Sequence, residues 1–538
     1  MTPPDSTHGG GGRNPAPAFH PRFRAALAAL FSAWIGLSAG CRPASSASIA
    51  AISPAASAAG PAATSLGIPD APGRVEEADA PLLDEVERRT FDFFWELTNA
   101  KNGLVPDRSP TPSFASIAAV GFGLTAYPIG AERGYITREA ARERVLTTLR
   151  FFSGGAAGAH GFWYHFLDMK TGARFKDVEL STIDSALLLA GALFCQSFFD
   201  REDPAEAEIR ELAERLYLAA DWTWWQHHPP MVSMGWTPEE GFNEWDWRGY
   251  NEGMIVYVLA LGSPTHPIPA AAWNEYTRTY KWEKFQGQEY VCYGSLFCYQ
   301  YSHVWIDFRG IRDAYMRERG IDYFENSRRA TYAHRQYAIQ NPGGWRGYGE
   351  NTWGLSACDG PIDGDVAIDG RKRHFFTYAA RGACAHEVRD DGTITPTAAA
   401  SSLPFAPEIV LPAIEEMKNA YGDRLFSKYG FLDAFNPTFR AAVPVQHGRV
   451  AADGWFDTDY LGIDQGPIVA MIENARTDLV WTTMRRNPHI VEGLRRAGFT
   501  GGWLESAAPA AIPAPAPAAA RKAASRRPGP TASIRRAA

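Results

Sequence analysis

Glu252 is the residue whose setting most strongly suggests catalysis. It lies in the segment Gly249 to Met254 and precedes the apolar run Ile255 to Gly262. A carboxyl group at the start of an apolar helix, preceded by aromatic loop residues, is suited to act as a general acid in a cleft. The simpler interpretation is that Asn251 caps this helix and Glu252 complements the helix dipole. Other helix starts repeat the arrangement of aromatic residue, glycine and acid, which favours catalysis.

Two more acids stand at predicted helix starts, and with Glu252 they suggest glycoside hydrolysis. Asp184 follows Ser181 by three positions, and Asp464 opens an apolar run. Cleavage of a glycosidic bond uses one protonated and one ionised carboxyl group, roughly 6.5–9.5 Å apart for inversion and about 5–5.5 Å for retention. A helix start favours the ionised form, so Asp464 or Asp184 suits the base, whereas Glu252 needs burial or a neighbouring carboxylate. The structural alternatives are a capping box for Asp184 and an N-cap for Asp464.

A glycine-rich loop over residues 344–361 holds more candidates for substrate contact. It has five glycines, which allow a backbone to pass close to a ligand, and aromatic rings that can stack on sugars. Glu350 has no evident local role, whereas Asp359 precedes Gly360-Pro361 and suits a turn. The side chains expected to contact substrate are Trp345, Tyr348, Glu350, Trp353, Asp359, Gln300, His303, Trp236, His165 and Arg108.

Several other kinds of site are not indicated. His227-His228 has no acid at metal-ligand spacing, no cysteine pair has zinc-site spacing, and nucleotide and serine-hydrolase motifs are lacking. We therefore expect neither a metal nor a cofactor. In the apolar stretch 300–313, Asp307 with Arg309 or Arg312 is expected to form a buried ion network.

The elements that must position these residues are helices. Apolar helices alternate with amphipathic ones, and a helix that is apolar all round must be buried while its partner covers it. About twelve such helices predict an all-α (α/α)6 toroid, whose inner helices start at one end; a solenoid is the alternative, but no fixed-period repeat supports it. The predicted helices span residues 76–97, 113–132, 138–152, 185–194, 204–225, 252–261, 269–281, 300–319, 322–339, 405–421, 464–476 and 488–498.

The two ends of the chain predict export. Residues 1–40 resemble a signal peptide, with three arginines before an apolar run, and Leu37 to Cys41 resembles a lipobox with the leucine one position early. Lipidation of Cys41 would give a periplasmic or outer-membrane lipoprotein, with no other membrane contact; an ordinary cleaved signal would give a secreted protein. Residues 41–75 and 507–538 are rich in small residues and proline and are expected to be disordered. The catalytic domain is expected over 76–506.

Charge and cysteine content limit the partners. The basic tail and the signal together hold about eight positive charges in excess, so the body carries roughly −15 of net charge and is unsuited to nucleic acid. The tail alone could touch anionic surfaces. Beyond Cys41 the odd number of five cysteines cannot all pair; Cys292 with Cys298 could close a small loop, and Cys195 is expected to be buried.

Ten ordered motifs over about residues 80–500 resemble the bacterial glycoamylase-like domain family, which includes the endo-β-1,2-glucanases of glycoside hydrolase family 144. The motifs are Asp107-Arg108-Ser109, Ser116-Ile117-Ala118, Gly161 to Phe166, Ser181 to Asp184, Tyr299 to His303, Gly347 to Asn351, Asp391-Gly392-Thr393, Pro404 to Glu408, Tyr429-Gly430-Phe431 and Gly462 to Pro467.

The resemblance implies an (α/α)6 barrel, a periplasmic or surface location, and hydrolysis of β-1,2-linked glucan with inversion. Its motif acids correspond to Asp184, Glu252, Glu350, Asp359 and Asp464. The segment Asp363 to Phe376 departs from the family pattern, which leaves linkage and chain-length preference open.

The sequence thus predicts an endo-acting hydrolase of β-1,2-glucan, with Glu252 as acid and Asp464 or Asp184 as base. The alternatives are an exo-acting glucosidase or transglycosylase of the same fold, and a non-catalytic glycan-binding lipoprotein. A polysaccharide lyase is disfavoured, because neutralising a uronate requires cations and the body is acidic.

Overall fold

The computed structural model describes residues 68–69 and 71–507, and this part of the chain is mostly helical. The expected signal peptide, the expected lipidation of Cys41, and nearly all of the linker and tail lie outside the described residues. None of the described helices combines the length and hydrophobicity that crossing a bilayer requires.

The described residues form sixteen α-helices and three short 3-10 helices. The 3-10 helices are Glu77–Asp79, Leu296–Tyr299 and Gly422–Arg424. The α-helices are α1 Ala80–Leu97, α2 Ile117–Glu132, α3 Arg138–Phe152, α4 Thr182–Phe198, α5 Pro204–Ala219, α6 Met254–Gly262, α7 Ala271–Thr277, α8 Tyr301–Trp305, α9 Ala314–Arg319, α10 Tyr323–Gln340, α11 Pro396–Ala400, α12 Pro407–Tyr421, α13 Gly462–Thr477, α14 Leu479–Met484, α15 Pro488–Arg496 and α16 Gly502–Ser506.

Six helices are buried along nearly their whole length, because they carry almost no polar face: α2, α4, α6, α8, α11 and α13. In space α4 lies between α2 and α6, α2 packs on α13, and α13 packs on α8 and α11. The Ser302 hydroxyl of α8 donates to the Glu252 carbonyl at 3.1 Å, and the Gln300 amide donates to the Ala398 carbonyl of α11 at 2.8 Å. These contacts link all six helices in a closed order.

Amphipathic helices cover this inner set. α1 packs on α2 and α13, α3 on α2, α5 on α3 and α4, and α15 on α6. The start of α5 follows the sequence prediction: Asp203 accepts from the backbone N–H groups of Ala205 and Glu206, and Pro204 takes the first position.

The expected helical fold class is confirmed in its coarse form, and the loops of the described part also contain 22 short strands in small sheets. The segment that departs from the family pattern forms the hairpin β12–β13. The strands are β1 Arg108–Ser109, β2 Ala115–Ser116, β3 Gly158–Ala159, β4 Phe162–Trp163, β5 Phe166–Leu167, β6 Leu180–Ser181, β7 Gly235–Thr237, β8 Gly241–Phe242, β9 Trp282–Phe285, β10 Gln288–Val291, β11 Ala357–Cys358, β12 Gly364–Ile368, β13 Arg371–Phe375, β14 Ala379–Ala380, β15 Gly382–Cys384, β16 Glu387–Arg389, β17 Phe426–Ser427, β18 Gly430–Phe431, β19 Phe435–Asn436, β20 Arg449–Ala451, β21 Gly454–Phe456 and β22 Tyr460–Leu461.

Several of these strands fix the chain just before an inner helix begins. β2 leads into α2 and pairs with β5, β6 leads into α4 and pairs with β7, and β22 leads into α13 and pairs with β1. All three pairings are antiparallel, and β1 against β22 sets Arg108 opposite Leu461. Paired backbone therefore holds the entrances of α2, α4 and α13 in fixed positions.

The predicted helix over 300–319 is interrupted. It consists of α8 and α9, separated by a turn at residues 306–313. Asp307 in this turn is buried and pairs with Arg309 at 2.8 Å and with Arg485. The expected ion network around Asp307 is thus confirmed, although its second arginine is Arg485 rather than Arg312.

The five cysteines in the described part of the chain are free and buried. The small loop closed by Cys292 and Cys298 is therefore wrong as a prediction, because no bond joins them. Cys195 is completely buried in α4, as predicted.

Candidate active site

Glu252 lies in a turn immediately before α6. The N-cap of α6 is Gly253, so the expectation that Asn251 caps this helix is wrong. Asn251 instead braces the turn, accepting from the Gly253 backbone N–H at 3.0 Å and donating to the Arg248 carbonyl at 3.1 Å. A rigid turn therefore carries the Glu252 side chain.

The Glu252 carboxyl group is held in a form suited to a general acid. Its side chain is buried, with Oε2 lying 3.3 Å from the Cys298 thiol and Oε1 without a hydrogen-bond partner among the described residues. Burial raises the pKa of Glu252 to about 7, and the charge of Asp184 contributes in the same direction. The group therefore still holds its proton on a large fraction of molecules at neutral pH.

Asp184 lies in the first turn of α4 and is also buried. The Ser181 hydroxyl caps this helix: it accepts from the Asp184 backbone N–H at 3.3 Å and donates to Asp184 Oδ2. Oδ1 lies 3.5 Å from His165 Nε2. Burial raises the pKa of Asp184, and the His165 charge opposes this. Ser181 is the N-cap, as expected, but the reciprocal bond of a capping box is not formed, because the Asp184 carboxyl group accepts from the Ser181 hydroxyl and takes part in a charged pair.

His165 is a cation at neutral pH. Its Nδ1 lies 2.8 Å from Glu179 Oε1. Burial lowers the pKa of His165, but the charges of Asp184 and Glu179 outweigh burial and raise it to about 9. His165 therefore stabilises both carboxylates as ions.

Asp464 lies in the first turn of α13, whose N-cap is Leu461, so Asp464 is not the cap. Burial raises the pKa of Asp464 to about 7; a hydrogen bond with Asp433 opposes this, and the charges of Asp359 and Asp107 add to it. Burial and the Asp464 charge raise the pKa of Asp433 well above its usual range. The two carboxyl groups therefore share a proton that resides mainly on Asp433.

The three predicted acids face one region. Burial raises the pKa of Tyr301, the first residue of α8, and the charges of both Asp464 and Glu252 raise it further. Asp184 acts in the same way on Glu252. Direct contacts join these helix starts as well: Cys298, just before α8, lies 3.3 Å from Glu252 Oε2, and the Thr397 hydroxyl of α11 donates to the Asp464 carbonyl at 3.1 Å. The starts of α4, α6, α8 and α13 therefore lie at one mouth.

A second group of acids lies beside Asp464. Asp359, Asp433 and Asp457 are buried, and one carboxylate oxygen of each lies within 4.8 Å of the others. The Arg108 guanidinium donates to Asp359 Oδ2 at 2.6 Å and lies 3.7 Å from Asp459. Asp359 thus lies among the buried acids beside Asp464 and pairs with Arg108, and its contact with substrate stays a prediction. Arg108 organises these carboxylates.

Three carboxylate oxygens at this spacing can hold a hard cation. In this cluster, however, Arg108 already supplies a positive charge, and Asp433 shares a proton with Asp464. The oxygens without partners, Asp359 Oδ1, Asp433 Oδ1 and Asp457 Oδ2, are acceptors of the kind that sugar hydroxyls use. The absence of a metal site stays a prediction.

The aromatic residues of the glycine-rich loop are largely used in packing. The Trp345 indole donates to Asp390 at 2.8 Å, the Tyr348 hydroxyl donates to the same carboxylate at 2.6 Å, and Trp353 is completely buried. Trp353 is therefore wrong as a stacking platform. Glu350 is exposed and forms an ion pair with Arg335, so it is not part of the buried acid group.

Gln300 and His303 form hydrogen bonds with buried groups of the protein interior. The Gln300 amide donates to the Ala398 carbonyl and to Ser402, both at 2.8 Å. His303 lies 3.0 Å from the Ser327 hydroxyl, and burial lowers its pKa to about 3. Both predictions of substrate contact are therefore wrong. Trp236, in contrast, is half-buried in β7 opposite Leu180, which leads into α4, and it stays a candidate.

Several residues beside these acids are not predicted from the sequence. Tyr378 is half-buried; burial raises its pKa, and the charges of Asp464, Asp433, Asp359 and Asp107 raise it further. Its phenol therefore keeps its proton and lies within electrostatic reach of the acid cluster, so it can act as a donor there. The sequence held a signal for two of these acids: Asp433 and Asp457 each follow aromatic residues in short strand-like stretches. Acids are rarely buried unless they are paired or functional, so acids in such apolar stretches are candidates for a site.

We expect the protein to be less stable at pH 8 than at pH 5.5. Carboxyl groups with a raised pKa in the folded state, here Glu252, Asp464, Asp433 and Asp457, stabilise the fold while protonated. For Glu252 and Asp464 that contribution is lost as the pH rises from the unfolded-state pKa of about 4 through the folded-state pKa of about 7, by roughly 1.4 kcal/mol per unit of pKa difference, and Asp433 and Asp457 act in the same direction. Calorimetry should show a Tm several degrees lower at pH 8; a Tm that is equal or higher there contradicts the shifts.

Known proteins resemble this chain over the region that holds these acids. A family model described as "Glycoamylase: Putative glucoamylase" matches residues 244–488, which include Glu252 and Asp464. The chain is 29% identical over 452 residues to an exo β-1,2-glucooligosaccharide sophorohydrolase (non-reducing end) of Parabacteroides distasonis. That match covers 78% of this chain and 58% of the relative, so the chain spans little more than half of that protein.

Several solved structures are similar to this chain in sequence and in fold over most of its length. A putative glucoamylase of Bacteroides uniformis is 34% identical with a TM-score of 0.69, and the match covers 80% of this chain and 100% of that one. An endo-β-1,2-glucanase of Chitinophaga pinensis, solved with sophorotriose and glucose, is 29% identical with a TM-score of 0.69 over 79% of this chain and 99% of that one.

Proposed function

Because this chain belongs to the glycoamylase-like family, we propose that it is a glycoside hydrolase that cleaves β-1,2-linked glucan with inversion. One observation carries the proposal: two buried carboxyl groups, Glu252 and Asp464, stand at the starts of inner helices, each with its pKa raised to about 7. The names of the two relatives that act on β-1,2-linked glucose support the substrate class.

Glu252 is the general acid in this proposal. It is protonated on a large fraction of molecules at neutral pH, and its Oε1 is free to donate to the glycosidic oxygen. The Asp184 charge raises the pKa of Glu252, so Asp184 helps Glu252 to retain its proton. His165 and Ser181 in turn hold Asp184 as an anion.

Asp464 is the base that takes a proton from the attacking water. Asp433 can donate its proton to Asp464 in the resting site, and the Arg108 charge favours the ionised form of Asp464. Departure of the leaving group puts positive charge on the sugar ring, and the unpartnered carboxyl oxygens of Asp359, Asp433 and Asp457 are placed to stabilise it through their partial negative charge. Asp184 has the alternative claim to the role of base.

We further propose that the six buried helices form the inner ring of an (α/α)6 toroid. The closed order of contacts α2, α4, α6, α8, α11 and α13 supports this arrangement. The proposed ring brings the helix starts to one end, which is the geometry that a shared cleft requires.

Endo-acting cleavage is the proposed mode, and exo-acting release of a disaccharide is the second candidate, favoured by the sophorohydrolase relative. Glucans with β-1,2, β-1,3, β-1,4, β-1,6 and α-1,4 linkages test both. Reducing ends should appear with β-1,2-glucan alone, and the first-formed anomer should be inverted. A ladder of early products indicates endo action, and sophorose alone indicates exo action. Activity only on an α-1,4-glucan, or on none, contradicts the proposal; longer products reveal transglycosylation.

Export is a separate proposal. The signal-like residues 1–40 and the lipobox-like segment before Cys41 support a lipid-anchored protein of the periplasm or outer membrane. Labelling of the protein with a radioactive fatty acid in wild-type and Cys41→Ala cells tests this directly.

Replacement of Tyr378 by phenylalanine should raise KM for β-1,2-glucan by about 2- to 10-fold with kcat nearly unchanged, which is the effect of one lost hydrogen bond. The phenol faces the acids at the mouth and is half-buried, so its hydroxyl can donate to a bound sugar. Tyr315→Phe, on α9, is the matched control. A Tyr378→Phe enzyme with wild-type KM contradicts this role.

A further inference from the structure

Cys298 makes a direct contact with the proposed acid. It lies in the 3-10 helix Leu296–Tyr299, which leads into α8, and its side chain is buried. Its Sγ atom lies 3.3 Å from Glu252 Oε2, within hydrogen-bond reach for sulfur. The other oxygen, Oε1, has no partner in the described part of the chain.

The direction of this hydrogen bond follows from the charges. Burial raises the pKa of Cys298 well above its usual range, and the Glu252 charge raises it further. The thiol therefore keeps its hydrogen, and a thiolate beside a carboxylate is excluded by repulsion. Sγ is the donor, and Oε2 is the acceptor.

Among the titratable groups near Glu252, the Cys298 thiol is the one with a direct hydrogen bond to the carboxyl group. Asp184 on α4 is the charged one. Tyr276 on α7, Tyr293 before the 3-10 helix and Tyr301 on α8 also lie within electrostatic range, but burial raises their pKa values, so they stay neutral. A donor to one oxygen places the carboxylic proton on the other.

We propose that Cys298 is a positioning residue for Glu252: its S–H group occupies Oε2 and so keeps the acidic proton on Oε1. This inference rests on the proposed role of Glu252. The contact also favours the ionised form, so the thiol eases release of that proton to the leaving group. The role differs from packing, because it requires a donor at position 298 and not merely a side chain of the right size.

The pH dependence of kcat/KM for β-1,2-glucan tests the proposal in the full chain. Loss of the donor in Cys298→Ala should move the basic limb, where Glu252 loses its proton, about 0.5–1 unit higher. Cys298→Ser, which keeps a donor, should return the limb toward the wild-type position. Cys195→Ala, at a buried thiol deep in α4, should leave it unchanged. An unmoved limb in Cys298→Ala, or the same shift in Cys298→Ser, overturns the proposal.

Infrared spectroscopy gives a readout that does not depend on activity. The S–H stretch of Cys298, identified from the difference between wild type and Cys298→Ser, should lie at lower frequency than that of a free thiol. It should move to higher frequency in Glu252→Gln, whose amide oxygen is a weaker acceptor. An unmoved band overturns the positioning role, whereas full activity of Glu252→Gln overturns the proposed acid instead.

Discussion

Replacement of Glu252 by glutamine should lower kcat on β-1,2-glucan by about 10²- to 10⁴-fold, the usual contribution of a general acid. Glutamine has the shape of glutamate and its carbonyl can still accept from Cys298, but it has no proton of comparable acidity for the leaving group. The measurement is release of reducing ends from β-1,2-glucan under saturating substrate, with KM determined alongside.

The fold of this variant should be intact. The replaced group is buried and its charged form is disfavoured there, so the Tm at pH 7 should change by no more than a few degrees. Glu275→Gln, at a partly exposed acid of α7 paired with Arg278, is the control for loss of a carboxyl group and should keep wild-type kcat. Turnover at the wild-type rate by Glu252→Gln would remove Glu252 from the mechanism.

Replacement of Asp464 by asparagine should also cost about 10²- to 10⁴-fold in kcat, because an amide cannot accept the proton of the attacking water. Here stability should rise. The change removes a carboxylate that lies in the field of Asp359 and Asp107, and the new amide can donate to Asp433. Calorimetry at pH 8 should therefore give a Tm above that of the wild type.

Azide decides between Asp464 and Asp184 as the base. Azide is a small anionic nucleophile that needs no proton removed, so it should restore turnover to a base variant and yield an inverted glycosyl azide. We expect this rescue in Asp464→Asn and not in Asp184→Asn, whose carboxylate is engaged with Ser181 and His165. Rescue in Asp184→Asn alone would exchange the two roles.

The parts of the fold that depend on local pattern were predictable. α2, α4, α6 and α13 were found because a helix without a polar face has to be buried. The placement of Glu252, Asp184 and Asp464 at helix starts followed from the same pattern. The prediction that the three acids meet at one mouth required the further assumption that the inner helices form a closed ring.

The parts that depend on distant partners were not predictable. Asp433 lies two residues before β19 and Asp457 directly follows β21, so the pairing of these two strands brings the two acids together. A single sequence does not reveal that pairing. The break between α8 and α9 was hidden, because Asp307 is satisfied by Arg485, 178 positions away. Gln300 and His303 stand near a helix start, but their partners turn them inward.

Asp390 has a consequence for which sugars this cleft can tell apart. Its carboxylate accepts from Tyr337, Trp345 and Tyr348 at once. The Trp345 and Tyr348 rings, which were predicted to stack on a pyranose, are therefore fixed in place by this carboxylate. The polar contacts at the mouth then come chiefly from the unpartnered oxygens of Asp359, Asp433 and Asp457, with the Tyr378 hydroxyl beside them. Such acceptors respond to whether each hydroxyl is axial or equatorial, so the cleft should reject epimers of glucose far more strongly than it rejects changes in the apolar face of the ring.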